Sequence, residues 1–329
     1  MKAVPSIPSV VAMVIMMGWV VRADSQTGTS EPLTRFTFTE YHMGIDARLV
    51  VYARTQEVAE KGCRAAFDRI AALDAIMSDY RKDSELNLLC ESAGKGWVKV
   101  SGDLFKVFRR SLEISKQADG AFDISAAPII QLWRKARKTS VLPDPLELEA
   151  ARKLVGWQNI ELDGRSRRVR LKTPGMKLDL GGIAKGYAAD EAQKVLRRHG
   201  IVSALIEMGG DVVLSDAPPG TKGWIVRVPN AGDDRGPAEM HLANCAVSSS
   251  GDTEQFVVIG GIQYSHVVDP RTGQALTNRV QATVIARDGF VTDPLSTAMT
   301  LLDKPKREKL LSYYPGTKGY VRTLPMPGK

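Results

Sequence analysis

Cysteine is scarce in this 329-residue sequence: Cys63, Cys90 and Cys245 are an odd number, and no two stand at C-x-x-C spacing. That pattern speaks against a zinc site or a redox dithiol. A single disulfide and three buried thiols both remain open, with Cys63 on the apolar face of a helical pattern. Repeats, low-complexity stretches and any clean linker after residue 34 are also lacking. The N-terminal apolar run, Val10–Val21, stops at twelve residues; as a helix it rises about 18 Å, short of a hydrocarbon core of about 30 Å. What is present is ordinary: charged residues at 25% and apolar residues at 43% are the proportions of a globular protein that folds in water. The length excludes a peptide hormone, a lone zinc finger or a disulfide-stapled mini-protein.

The net charge of +8 suits an anionic partner but does not choose one. Part of it sits in the N-terminal segment, where Lys2, the apolar run and Arg22-Ala23 read as a secretory signal with cleavage after Ala23. Residues 1–23 are thus expected to be a signal peptide and 24–34 a linker; an uncleaved anchor or a mistaken start are the alternatives. No Cys lies near the segment, which argues against a lipoprotein. Loss of Lys2 and Arg22 leaves +6, spread over clusters such as Arg134, Lys135, Arg137 and Lys138. No aromatic interleaving or nucleic-acid motif accompanies them, so they read as solvated faces, and no nucleic-acid partner is expected.

Residues 35–329 read as one α+β body of mixed or antiparallel sheet with packed helices. Arg35–Ala53 alternates as two strands around a kink at Met43-Gly44. Ala59, Cys63, Phe67, Ile70, Leu73 and Met77 recur at three and four residues, one stripe of a helix over Gln56–Met77. Ser84, Glu85 and Asn87 read as a polar turn before a helix near Asp103–Ala118, and a further helix is expected over Gly186–His199. Strands follow at Ala204–Met208, Trp224–Val228, Gln255–Ile259, Ile262–Val268 and Val280–Ala286, the third and fourth joined as a hairpin by Gly260-Gly261. A helix starts at Asp293.

Three stretches carry chemistry. In Leu178-Asp179-Leu180-Gly181-Gly182-Ile183-Ala184-Lys185-Gly186-Tyr187 an apolar strand ends in an acid, two glycines admit close approach, and a lysine stands at a helix start, as an anion site requires. It has neither Rossmann nor P-loop spacing, and by itself such a turn is most often only a turn. His266 alternates with Tyr264 and Val268 before the turn Asp269-Pro270-Arg271-Thr272-Gly273; a histidine satisfied at the edge of a core is its bland reading. In Thr292-Asp293-Pro294-Leu295-Ser296-Thr297, Asp293 reads as an N-cap with Pro294 at the first helical position. Asp293 and Thr297, four residues apart, also suit a Mg²⁺ ion, which takes oxygen ligands.

Together with Met43-Gly44, Met77-Ser78-Asp79-Tyr80 with Ser84-Glu85-Leu86-Asn87, Gly120-Ala121-Phe122-Asp123-Ile124-Ser125 with Pro128 and Leu132-Trp133, Glu207-Met208-Gly209-Gly210-Asp211 and Ser249-Ser250-Gly251, these stretches resemble, in order, the ApbE-type flavin transferases. The resemblance runs from about Met43 to about Leu302 and implies a T-fold-like α+β enzyme. It implies that FAD is split, that its FMN moiety passes to a Thr or Ser hydroxyl of a redox flavoprotein, and that AMP leaves. By the same resemblance Asp293 and Thr297 bind Mg²⁺ with the Gly182 carbonyl, Ser296 lies nearby, and Met43, Tyr80, Ala121, Phe122, Asp123, Asp179, Lys185 and the backbone at Val267 line the FAD site. His266 becomes the group that assists deprotonation of the acceptor hydroxyl, a role Asp293 can share.

Ile45 and Pro294 depart from the residues usual in the family, Thr and a small residue. With the signal segment pointing to export, the missing lipobox Cys implies a protein soluble in the periplasm or held at the membrane by an uncleaved N-terminus, and not a lipoprotein. Two other functions use the same residues: an FAD pyrophosphatase giving FMN and AMP, and a flavin-binding protein without turnover.

Overall fold

The computed structural model describes residues 32–228, 239–251 and 256–323. The signal peptide, most of the linker and Gln255 lie outside these residues. Strands β1 (Thr34–His42) and β2 (Ile45–Ala53) form a full antiparallel hairpin. The expected kink is therefore a reversal: Met43 at φ 52 and Gly44 at φ 79 are both left-handed, the geometry of a two-residue hairpin turn. Helix α1 spans Gln56–Met77, with Thr55 accepting from the Val58 N–H as its cap. Ser84, expected in a turn, caps a short α2 (Glu85–Glu91) by accepting from the Asn87 N–H.

β3 (Val98–Lys99), α3 (Gly102–Gln117), α4 (Ala127–Thr139), α5 (Pro145–Arg152), β4 (Ile160–Asp163) and β5 (Arg168–Leu171) follow. They lead to α6 (Ala184–Arg198), β6 (Ser203–Met208), β7 (Asp211–Leu214), β8 (Trp224–Val226), β9 (Met240–Leu242) and β10 (Cys245–Gly251). The chain closes with the β11 (Phe256–Ile259) and β12 (Ile262–Ser265) hairpin, β13 (Val280–Ala286), α7 (Gly289–Leu301), α8 (Lys304–Ser312) and β14 (Lys318–Thr323). Gly260 and Gly261 turn that hairpin with φ 59 and 79.

The main sheet has the order β1-β2-β6-β7-β10-β13-β14, and every neighbouring pair in it is antiparallel. One face is covered by α1, α6 and α7, and the largest apolar cluster fills that layer, joining Leu49 and Val51 of β2 to Phe67 and Ile70 of α1 and Leu295 of α7. On the opposite face Val50, Leu214 and Trp224 form a smaller cluster with the β8–β9 ribbon. Cys63, Cys90 and Cys245 are free thiols.

The helix expected from Asp293 begins four residues earlier, at Gly289 after Asp288. Asp293 is therefore no N-cap, and Pro294 lies inside the helix rather than at its first position. The true start is held from outside: the Asp190 carboxylate on α6 accepts from the Gly289 N–H at 2.8 Å and the Phe290 N–H at 2.9 Å. A sequence-local search for a cap sees Asp-Pro and misses a carboxylate a hundred residues away.

Candidate active site

The turns of several elements gather at one end of the main sheet. Met43 stands at the tip of the β1–β2 hairpin, and the neighbouring Ile45 side chain lies against Gly209 in the β6–β7 turn. Gly210 in that turn accepts from the Ser249 N–H of β10 at 3.0 Å. The start of α7 packs on the first turn of α6 with glycine facing glycine: a Cβ at Gly186 would stand 2.1 Å from the Gly289 carbonyl oxygen and 2.8 Å from the Asp293 Cβ.

Asp293 is 3% exposed, and its Oδ2 accepts from the Gly186 N–H at 3.0 Å. Lys185 donates to the Gly181 carbonyl at 2.7 Å and places its ammonium 3.3 Å from Asp211 and 3.7 Å from Asp293. Burial pushes the Asp293 carboxyl up to about 7, the negative charge of Asp211 adds to this, and Lys185 pulls the other way. Burial works against the Lys185 ammonium, but Asp293 and Asp211 outweigh it and hold its pKa above the ordinary lysine value. Its side chain is still 24% exposed, enough to meet a ligand.

Hydroxyls complete the surroundings of Asp293. Ser250 on β10 lies 2.8 Å from the Ser296 Oγ and 3.2 Å from the Thr297 Oγ1, and Ser296 donates to the Asp293 carbonyl at 2.8 Å. Gly182 lies between Phe122 and Thr297: a Cβ there would be 3.3 Å from the Phe122 ring and 3.4 Å from the Thr297 Oγ1. Gly182, Asp293, Ser296 and Thr297 thus share one site. Among the described residues no three His, Cys, Asp or Glu side chains group as a metal centre. The donors here are one or two carboxylates with hydroxyl and carbonyl oxygens, a hard-oxygen set that fits Mg²⁺ and not a soft metal.

A second group adjoins the first through Asp179. Its Oδ1 accepts from the Gly181 N–H at 2.7 Å, its Oδ2 accepts from Arg134 at 2.7 Å, and Arg134 also donates to Asp79. The Arg134 guanidinium lies 4.7 Å from the centroid of the Tyr80 ring, and Tyr80 is 75% exposed. Burial, with the Asp179 charge beside it, raises the Asp79 pKa although Arg134 opposes the shift. The Asp179 N–H donates to the Ile124 carbonyl at 2.8 Å, which docks the Ala121-Phe122-Asp123 segment against residues 177–181, a loop between β5 and α6 and not the strand expected there. The Asp123 carboxylate accepts from the Ser125 N–H and hydroxyl and from the Trp157 N–H; it orders that segment.

His266 is half-buried just beyond β12, not within a strand. The Val267 N–H donates to the Ser265 Oγ and its carbonyl accepts from the Leu276 N–H, both at 3.0 Å, so the backbone at Val267 is engaged by its own loop. Burial pushes the Cys63 thiol up to about 12 and the Cys90 thiol to about 11, which leaves neither a thiolate near neutral pH.

Arg134 corrects the reading of residues 134–138 as a solvated face. Asp211, Ser250 and Asp190 also enter the site or its frame. Asp211 and Ser250 stood in motifs without a role of their own, and only the packing of β7 and β10 beneath α7 brings them to the site.

The sequence profile of the ApbE family matches residues 43–321. A relative named "FAD:protein FMN transferase" from Treponema pallidum is 28% identical over 298 residues, 85% of this chain and 82% of its own. Another of that name from Vibrio cholerae is 25% identical over 300 residues, 88% of this chain and 89% of its own. Among solved structures, the ApbE protein of Thermotoga maritima superposes with a TM-score of 0.75 at 28% identity over 85% of this chain and 91% of that one. The apo flavinyl transferase ApbE of Pseudomonas stutzeri gives 0.76 at 25% identity over 90% and 93%.

Proposed function

The chain belongs to the ApbE family, and from that premise we propose that it transfers the FMN moiety of FAD to a Thr or Ser hydroxyl of a protein acceptor, with Mg²⁺ bound and AMP released. The observation that carries this reading is the buried Asp293 carboxylate, set among Lys185, Ser296, Thr297 and Gly182. Relatives bearing the name FAD:protein FMN transferase support the flavin chemistry.

Asp293, Thr297 and the Gly182 carbonyl would hold Mg²⁺, with Ser296 beside them. When bound, the ion supplies neutralisation of the pyrophosphate charge. Lys185 adds a second cation on the side of Asp211 and binds the phosphate oxygens. Met43, Tyr80, Ala121, Phe122, Asp123 and Asp179 contact or frame the dinucleotide, and Tyr80 offers an open ring to a planar group. His266 takes the proton of the acceptor hydroxyl, the general-base role an imidazole side chain can fill. The acceptor oxygen bonds to the phosphorus of the FMN half while the bond from that phosphorus to the bridging oxygen breaks, and AMP departs with the electron pair. The acceptor faces the periplasm on this reading, with residues 1–23 serving export.

The test incubates the protein with FAD, Mg²⁺ and a flavoprotein domain carrying a Thr target. Acceptor mass should rise by one FMN as AMP appears, and Asp293→Asn should lower the Mg²⁺-dependent rate by on the order of a hundredfold or more. AMP and free FMN without the mass gain identify a pyrophosphatase instead. Unchanged Mg²⁺-dependent turnover in Asp293→Asn would remove the metal assignment.

A further inference from the structure

Helix α4 carries two arginines one turn apart, Arg134 and Arg137, in unlike surroundings. Arg134 is neutralised by Asp79 and Asp179. The Nη1 of Arg137 is buried and has no hydrogen-bond partner among the described residues. Burial, then the like charge of Arg134, lower the Arg137 pKa, and the nearby Tyr80 phenol only partly offsets this. Buried donors are nearly always paired, and an unpaired charged one is destabilising. A guanidinium with one nitrogen in that state, near an exposed aromatic ring, stands ready for an acceptor from outside the chain.

The position suits a long ligand. Asp179 links Arg134 to Gly181, and Gly181 links to Lys185 beside Asp293. Tyr80 and Arg137 thus stand at one end of a chain of contacts whose other end is the candidate cation site. A dinucleotide with its pyrophosphate at Asp293 and a ring further along matches that arrangement.

We propose that Arg137 is a substrate-binding residue, whose Nη1 donates to an oxygen of the flavin dinucleotide, a phosphate oxygen or a ring carbonyl, beside a planar group stacked on Tyr80. This rests on the flavin reading above. Sequence placed Arg137 on a solvated face; its buried, unpaired Nη1 assigns it a ligand.

Calorimetric titration of wild type, Arg137→Gln and Arg137→Lys with FAD, riboflavin, FMN and ADP tests the contact, alongside the thermal midpoint of each protein. Arg137→Gln should weaken FAD binding roughly 10- to 100-fold, the range of a charge-assisted hydrogen bond, with part of the loss restored by Lys. Its midpoint should equal or exceed that of wild type, because a buried nitrogen without an acceptor is gone. A ring carbonyl as the acceptor weakens riboflavin together with FMN; a phosphate weakens FMN or ADP and spares riboflavin. Equal FAD affinity in wild type and Arg137→Gln overturns this inference alone, and a lowered midpoint accompanying the affinity loss assigns Arg137 to the frame and overturns it too. Failure of the wild type to bind FAD overturns the flavin reading as well.

Discussion

Arg134 holds two carboxylates that would otherwise repel each other, Asp79 at 13% and Asp179 at 6% side-chain exposure. Removing one partner of a buried ion pair is costly chiefly because the other is left uncompensated. Arg134→Met should therefore lower stability by about 3 kcal/mol in urea unfolding, and adding Asp79→Asn should recover part of the loss. A change below about 1 kcal/mol, the range of exposed pairs, would show that water already serves both carboxylates. Little of this was legible: Arg134 stands in a run of basic residues, and its partners lie 55 and 45 residues away in sequence. Charge runs advertise solvent, and only the packing of α4 against the loops after α1 and before α6 makes one member structural.

The joint between α6 and α7 is the element on which the proposed cation site depends. Gly186→Ala sets a methyl group into the Gly289 carbonyl and the Asp293 Cβ, so the helices must separate. The expected cost is about 1–3 kcal/mol, as for other overpacked contacts, with a disproportionate loss of turnover because Asp293 leaves the Gly186 N–H. Comparing thermal unfolding with FMN-transfer rate checks this; a stable variant with full activity would show that the joint has slack. Elements with a strong local pattern were readable, α1 over Gln56–Met77 and β13 over Val280–Ala286 matching their expected bounds. The start of α7 was not, since its backbone N–H groups are satisfied by Asp190 on another helix. Nor was α2, too short to show a full period, with its Ser84 cap reading equally as a turn.

Across the whole molecule, the same joint makes stability depend on pH. Burial pushes the Asp190 carboxyl up to about 7, although the Gly289 and Phe290 N–H groups oppose the shift; Asp288 adds to it and Lys194 subtracts. The native state thus keeps a proton that the unfolded chain releases near the ordinary value of 3.8. By linkage, this group's contribution is full below about pH 4 and is lost as pH rises through about 7. In EDTA, wild type should lose more unfolding free energy than Asp190→Asn between pH 5 and pH 8; equal losses would mean Asp190 is already ionised at pH 5. The antiparallel α+β architecture was legible because alternation, glycine turns and one long apolar stripe agree. The ordered motifs marked Asp293, Gly182 and Thr297, which the fold brings together, while Asp211 and Ser250 waited on the sheet.

Ser250 touches both Ser296 and Thr297, and each of the three hydroxyls can donate or accept a hydrogen bond. That trio is a set of rotors. On the proposed Mg²⁺ reading, an oxygen of Thr297 claimed by the ion would let its hydrogen swing toward Ser250 and the others turn in step, so the site would pass between two bonding patterns without moving a strand or a helix.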